Sequence, residues 1–221
     1  MNLRKMRGLR FPDEYVIKFF FKEGLDRQSG NVLELGCGNG NNLLLFHQFG
    51  WQVTGIDIDP QAINNALFNF KLVGATERYQ FIKHDITKGL SHVVSQTYDV
   101  ILFPNILSYI STESALLLMR EVKTLMRKRA WVFVRTRSFK DYRYGRGVKV
   151  NSREFILEEE ETGEKGMLNV FYSEYEIVDM LATYLNIDKS TLYVLSVDFQ
   201  NIQKGFVISN SDIVIWGRSH E

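Results

Sequence analysis

Residues 31–40 read NVLELGCGNG, and the stretch NNLLLFHQFG follows at once. NVLEL is a short apolar run of strand type, GCGNG is a glycine turn, and NNLLLFHQFG reads as a helix stopped by Gly50. Glycine tolerates positive φ and lets a backbone approach a ligand closely. A strand, a glycine turn and a helix N-terminus in that order form a cradle at the carboxyl end of a strand. Working outward, WQVTGIDID is a second strand. PQAINNALFNFKLVG is a helix with Pro60 near its first turn and Gly74 after its end. RYQFIKHDI and YDVILFPNIL are a third and a fourth strand. The fourth is almost wholly apolar, as a central parallel strand covered on both faces must be. STESALLLMREVKTLM is an amphipathic helix with a hydroxyl residue at its start, and RAWVFVRTRS is a fifth strand. Strands alternating with helices from 31 to 136 predict an α/β fold with a parallel sheet joined by right-handed crossovers.

Outside this core, DEYVIKFFFKEG after Pro12 reads as an entry helix with acids at its start. From 137 to 171 tyrosines, arginines, glycines and glutamates mix without a period. This predicts an insertion with short strands that covers part of the sheet's edge and shapes the acceptor site. From 172 to 221, SEYEIVDMLATYLN is a helix with Ser173 as N-cap. TLYVLSVDFQ and SDIVIWGR are two closing strands, paired antiparallel through the turn NIQKG. The chain is expected to form a single domain, with residues 1–30 as its N-terminal helical region.

Three successive strand ends carry chemistry. The first carries the glycines. The second ends at Asp57, where a carboxylate can accept from both hydroxyls of a ribose. The third ends HDI, where Asp85 can accept from an adenine amino group while Ile86 packs on the base. Together these form a nucleoside-shaped constellation.

The stretch VLELGCGNG…GIDIDP…HDI…YDVILFPNILSYI resembles class I S-adenosylmethionine-dependent methyltransferases. The resemblance spans 31 to about 136. Nicotinamide enzymes usually place their third glycine one residue later, where this chain has Asn41. The resemblance implies a Rossmann-like, seven-stranded, mostly parallel sheet with an antiparallel last strand and helices on both faces. It implies S-adenosylmethionine as cofactor, with Glu34, Gly36, Gly38 and Asn41 along its methionine portion. Asp57 would hold the ribose, and Asp85 and Ile86 the adenine, while Phe103, Asn105 and Ile106 would lie near the sulfur. With the neighbouring Cys37, Asn39, Gly40 and Ile58, these form the cofactor-binding set. RFPDEYVIKFF is similar to the entry helix of small-molecule methyltransferases, and YRYGRGVKVNSREFILEEE…NVFYSEYEIVDML resembles a segment of some bacterial members.

Tyr109 and His84 are the candidates for a catalytic side chain, although a strand-end histidine is ordinarily solvated and Tyr109 could equally be core. Arg135, Arg137, Tyr142, Tyr144 and Arg146 form a basic, aromatic cluster that would contact the acceptor if it is not solvated surface. Glu158 to Glu161 read as a solvated face. Cys37, the single cysteine, is a small turn residue without a histidine partner. One cysteine excludes a disulfide framework or a cysteine-rich zinc site, and no metal cluster is visible.

A net charge of +1 gives no electrostatic argument for a nucleic-acid partner. No apolar run reaches membrane-spanning length and no signal peptide is visible, so a cytoplasmic location is expected. The leading function is methyl transfer to a small-molecule acceptor by in-line displacement. The alternatives are an RNA, protein or lipid-linked saccharide acceptor, and a non-catalytic S-adenosylmethionine-binding module. Residues 103–106 read FPNI, not the Asn-Pro-Pro-aromatic signature of adenine or glutamine amide methylation.

Overall fold

The structure, a computed structural model, describes residues 3–220. The entry helix α1 (Glu14–Lys22) is N-capped by Asp13, whose carboxylate accepts from the Tyr15 N–H. β1 (Asn31–Leu35), α2 (Asn41–Gln48), β2 (Gln52–Asp57), α3 (Pro60–Leu72) and β3 (Tyr79–Lys83) follow. Asp59 caps α3, and Pro60 occupies its first turn. After β4 (Tyr98–Pro104) and α4 (Thr112–Leu125), β5 (Met126–Arg137) begins with no intervening loop.

One seven-stranded sheet has the order β3-β2-β1-β4-β5-β10-β9. β1 to β5 are parallel, whereas β10 (Phe206–Arg218) runs antiparallel to both β5 and β9 (Tyr193–Gln203). Strand order reverses beside β1, which pairs with β2 on one side and β4 on the other. Ligands of open α/β sheets sit at the carboxyl ends of strands flanking such a reversal.

The two faces carry separate cores. Val16, Phe19 and Phe20 of α1, Leu43 and Phe46 of α2 and Phe70 of α3 pack with Val32, Val100, Phe133 and Trp216 on one face. Leu118, Met119 and Val122 of α4 and Ile177 and Leu181 of α5 (Glu174–Leu185) pack with Leu33, Ile101, Val132 and Val134 on the other. The alternation of residues 132–134 is the period of a strand buried on both sides.

Two strand ends fall short of the sequence reading, and one strand runs past it. β3 stops at Lys83, leaving His84–Ile86 in a turn, and β4 stops at Pro104. Asn105 is left-handed (φ +66°) and leads into a 3-10 turn over Ile106–Tyr109. Pairing in the closing hairpin runs through Asn201, Ile202 and Gln203, residues of the expected turn. The turn is Lys204–Gly205, both at positive φ, the two-residue form that matches strand twist.

The insertion folds as a three-stranded antiparallel sheet of β6 (Val148–Lys149), β7 (Glu154–Ile156) and β8 (Leu168–Val170). The expected cover of a sheet edge is corrected. The edges are β3 and β9, whereas the insertion is tied to the ends of β4 and β5. Glu154 accepts from the Thr112 N–H and hydroxyl, and the Tyr172 N–H donates to the Arg137 carbonyl. Ser173 and Glu176 form a capping box that starts α5. Among the described residues no helix is long and apolar enough to cross a membrane.

Candidate functional site

Two cavities open at the carboxyl ends of β1, β2, β3 and β4, and Gly36 lines both. The first, about 310 Å³, is lined by Leu9, Phe11, Pro12, Asp13, Glu34, Gly36, Cys37, Gly38, Asn39, Asn41, Asn42, Pro104 and Asn105. The second, about 480 Å³, is lined by Gly36, Asp57, Ile58, His84, Asp85, Ile86, Thr87, Ile106, Tyr109, Ile110, Ser111, Met167 and Leu168.

Glu34 dominates the first cavity. It is 1% exposed, accepts from the Asn42 amide on Oε1 at 2.7 Å, and has no partner on its buried Oε2. Burial, offset in part by Asn42 and reinforced by Asp13 and Asp57, pushes its carboxyl up to about 8. A buried, unpaired carboxylate oxygen fits a cationic donor such as an α-ammonium group.

A backbone segment covers this cavity. The Arg7 N–H donates to Asn69 Oδ1 at 2.9 Å, and Asn69 donates back to the Arg7 carbonyl at 3.0 Å. Asn39 donates to the Leu9 carbonyl at 3.1 Å, and Asn41 to the Phe11 carbonyl at 3.0 Å. The Asp13 N–H donates to Asn42 Oδ1 at 2.8 Å. Every second residue from 7 to 13 is thus held through its main chain by an asparagine side chain.

In the second cavity, Asp57 accepts from the Gly38 N–H at 2.8 Å on Oδ2 and from the Asp59 N–H at 2.9 Å on Oδ1. It therefore closes the glycine turn onto β2 and retains a lone pair on each oxygen. Asp85 caps the short turn after it. The Thr87 hydroxyl and N–H hold its carboxyl below the ordinary value. His84 Nε2 donates to the Gly89 carbonyl at 2.7 Å. Ile58, Ile86 and Ile106 supply apolar walls suited to a flat base.

The glycines divide by neighbour. A Cβ on Gly36 would meet Ile106 at 2.8 Å, and one on Gly40 would meet Phe81 and Phe70 at 3.1–3.2 Å. A Cβ on Gly38 would meet nothing within 4 Å. Of the three, Gly38 faces open cavity, whereas Gly40 lines neither cavity and serves as the left-handed N-cap of α2. Phe103 also departs from expectation, because it is fully buried in the α4–α5 core and lines neither cavity. Cys37 is buried beside Gly55, and burial raises its thiol well above the ordinary range.

The residues 135–146 do not form a cluster. Arg135 is clamped between Asp13 at 2.5 Å and Asp212 at 2.7 Å. Arg137 donates to Glu164 at 2.6 Å, to the Tyr109 hydroxyl at 2.8 Å, and to Asn169. Arg146 lies 3.7 Å over the Tyr142 ring and pairs with Glu159. Tyr144 packs edge-on against Phe139, Phe155 and Phe171. None of the five lines either cavity. Asp13, Asn42, Asn69 and Glu164 escape the sequence reading. The one available signal was the asparagine density of GNGNN.

Comparison with known proteins agrees with this geometry. A family model described as a methyltransferase domain matches residues 4–165. The chain belongs to this methyltransferase family. The chain is also 38% identical over 72 residues, 32% of its length, to a ribosomal protein L11 methyltransferase from Janthinobacterium sp. (strain Marseille). The match spans 22% of that relative's length. A SAM-dependent methyltransferase from Methanosarcina mazei superposes with a TM-score of 0.69 at 18% identity, over 96% of this chain and 100% of that one. The 1,6-didemethyltoxoflavin-N1-methyltransferase from Burkholderia thailandensis, solved with 1,6-didemethyltoxoflavin and S-adenosylhomocysteine, superposes with a TM-score of 0.62 at 15% identity. That alignment covers 93% of this chain and 76% of the Burkholderia chain. The chain thus shares their fold.

Proposed function

We propose that the protein transfers a methyl group from S-adenosylmethionine to a small-molecule acceptor. The observation that carries this reading is the buried, unpaired Glu34 Oε2 beside a cavity lined by four asparagines and an open glycine. Glu34 would hold the methionine ammonium, and Gly38 would let that chain pass. Asp57 would bind the ribose hydroxyls, Asp85 and Ile86 the adenine, and Asn105 and Ile106 would lie at the sulfur. When bound, the cofactor supplies an electrophilic methyl on a sulfonium. The protein's own part is to hold the acceptor atom in line and keep the surroundings dry. Tyr109 is no base for this step. Burial raises its hydroxyl's pKa, and its proton is already donated to Glu164 at 2.6 Å.

Calorimetry of the full chain with S-adenosylmethionine and S-adenosylhomocysteine tests the reading. Micromolar binding is expected, weakened at least tenfold by Asp57→Ala or Glu34→Gln. Absence of binding to folded protein overturns it. A second reading, a protein acceptor, draws on the segment shared with ribosomal protein L11 methyltransferase. Transfer of labelled methyl to ribosomal protein in preference to small amines would select it. A phosphate-rich RNA acceptor is disfavoured, because neither cavity is lined by lysine or arginine.

A further inference from the structure

Glu164 lies in an exposed, charged stretch, EEEETGEK, yet it is 8% exposed. Its Oε1 accepts from Tyr109 at 2.6 Å and from Arg137 at 2.6 Å, and its Oε2 accepts from Arg143. Burial opposes its charge, but Arg137, Tyr109 and Arg143 outweigh that and hold its carboxyl at about 2. Arg143 is further engaged by Asp141 and Asn210, and Arg137 by Asn169. Both guanidinium groups are thereby neutralised next to the larger cavity. Met167 and Leu168, just beyond Glu164, form part of that cavity's wall beside Tyr109.

This arrangement fixes the polarity of one phenol. A tyrosine hydroxyl has one proton and two lone pairs. Tyr109 commits its proton to Glu164 and one lone pair to Arg137, which leaves a single acceptor position. No lysine or arginine lines the same cavity, and its carboxylates, Asp57 and Asp85, belong to the part read as the adenosine site, apart in role from Met167 and Leu168. Resting on the methyltransferase reading, we propose that Tyr109, oriented by Glu164, reads the methyl acceptor as a hydrogen-bond donor, so that the part of the cavity walled by Tyr109, Met167 and Leu168 takes an uncharged or cationic molecule bearing N–H or O–H and rejects carboxylates. Glu164 is the positioning residue. Specificity arises because an anion would meet the Tyr109 lone pair in a cavity lined by no lysine or arginine to offset its charge, whereas an N–H or O–H is complemented there.

The test is ligand-observed NMR on the full chain, with and without S-adenosylhomocysteine. The probes are benzylamine, benzyl alcohol, benzyl methyl ether and benzoate at millimolar concentration. Benzylamine and benzyl alcohol are expected to bind, the ether and benzoate at least tenfold more weakly. In Glu164→Gln the new amide can donate to Tyr109 and free its proton, so benzoate should gain at least tenfold relative to benzylamine. A variant that merely loosened the wall would weaken all four alike. If Glu164→Gln does not fold, Tyr109→Phe keeps the Arg137–Glu164 pair and should bring benzyl alcohol to within twofold of the ether. No benzylamine binding, benzoate binding equal to benzylamine in the natural protein, or an unchanged ranking in the folded variant overturns the proposal. Failure of the methyltransferase reading would appear separately, as loss of S-adenosylhomocysteine binding.

Discussion

Glu34 and Asp13, far apart in sequence, are joined by one side chain. Asn42 donates its amide to the Glu34 carboxylate at 2.7 Å and accepts the Asp13 N–H at 2.8 Å. The end of β1 and the start of α1 therefore share a single polar linkage beside the first cavity.

Replacing Asn42 by Ala strands a buried carboxylate oxygen and a main-chain N–H together. An unsatisfied buried polar group costs about 1–3 kcal/mol. The expected loss is therefore about 2–4 kcal/mol in urea unfolding, with weaker cofactor binding by calorimetry. An unchanged midpoint would show that the linkage carries no stability.

Glu34 makes stability pH-dependent with an unusual sign. Its folded value is raised to about 8 from an ordinary 4.5, so between these values the folded state keeps a proton that the unfolded chain has lost. Stability from this group is full below about 4.5 and falls as pH rises toward 8. Each unit is worth about 1.4 kcal/mol. The thermal midpoint of the ligand-free protein should thus decline over that window, and Glu34→Gln should flatten the decline. Binding of a cationic ammonium should expel the proton. Calorimetric enthalpies at pH 7 would then differ between buffers of unequal ionisation enthalpy, and Glu34→Gln would remove the difference.

Glu164 acts in the opposite direction. With its value held at about 2, its contribution is complete above an ordinary 4.5 and is lost as pH falls toward 2. Acid unfolding followed by circular dichroism should start at higher pH in Glu164→Gln. Glu164→Ala, which leaves Arg137 and Arg143 without their shared carboxylate, should cost about 3–5 kcal/mol.

Two glycines of one turn should respond differently to the same change. Gly40→Ala forces a Cβ to within 3.1–3.2 Å of Phe81 and Phe70 at φ +76°. It should lower the thermal midpoint more than Gly38→Ala, whose Cβ enters open space at φ +51°. Gly38→Ala should instead lose more in cofactor affinity. Equal affinity losses for the two would remove the reading of Gly38 as the point of ligand approach.

The sheet was legible because its strands are apolar, regularly spaced and closed by glycine, proline and acidic caps. NVLEL and VILF announce buried strands locally, and Asp59–Pro60 and Ser173 announce helix starts. Asp57 was legible as a strand-end acid for the same reason, whereas Asp85 lies two residues past the end of β3 and caps the turn that follows. The arginines were not. Arg135 finds Asp13 and Asp212 across 122 and 77 residues, and Glu164 finds Tyr109 across 55, pairings that no local pattern encodes. Phe103 misled because its place after three apolar residues fits equally a strand end and a core position, and packing against α4 and α5 decided it.

The asparagines that hold residues 7–13 grip main-chain atoms only at Arg7, Leu9, Phe11 and Asp13. Leu9 and Phe11 are more than 60% exposed at the mouth of the first cavity. Their side chains are therefore free of the fastening that keeps the segment in place. Selection can exchange them, and with them the chemical character of the entrance, without refashioning the fold that carries it.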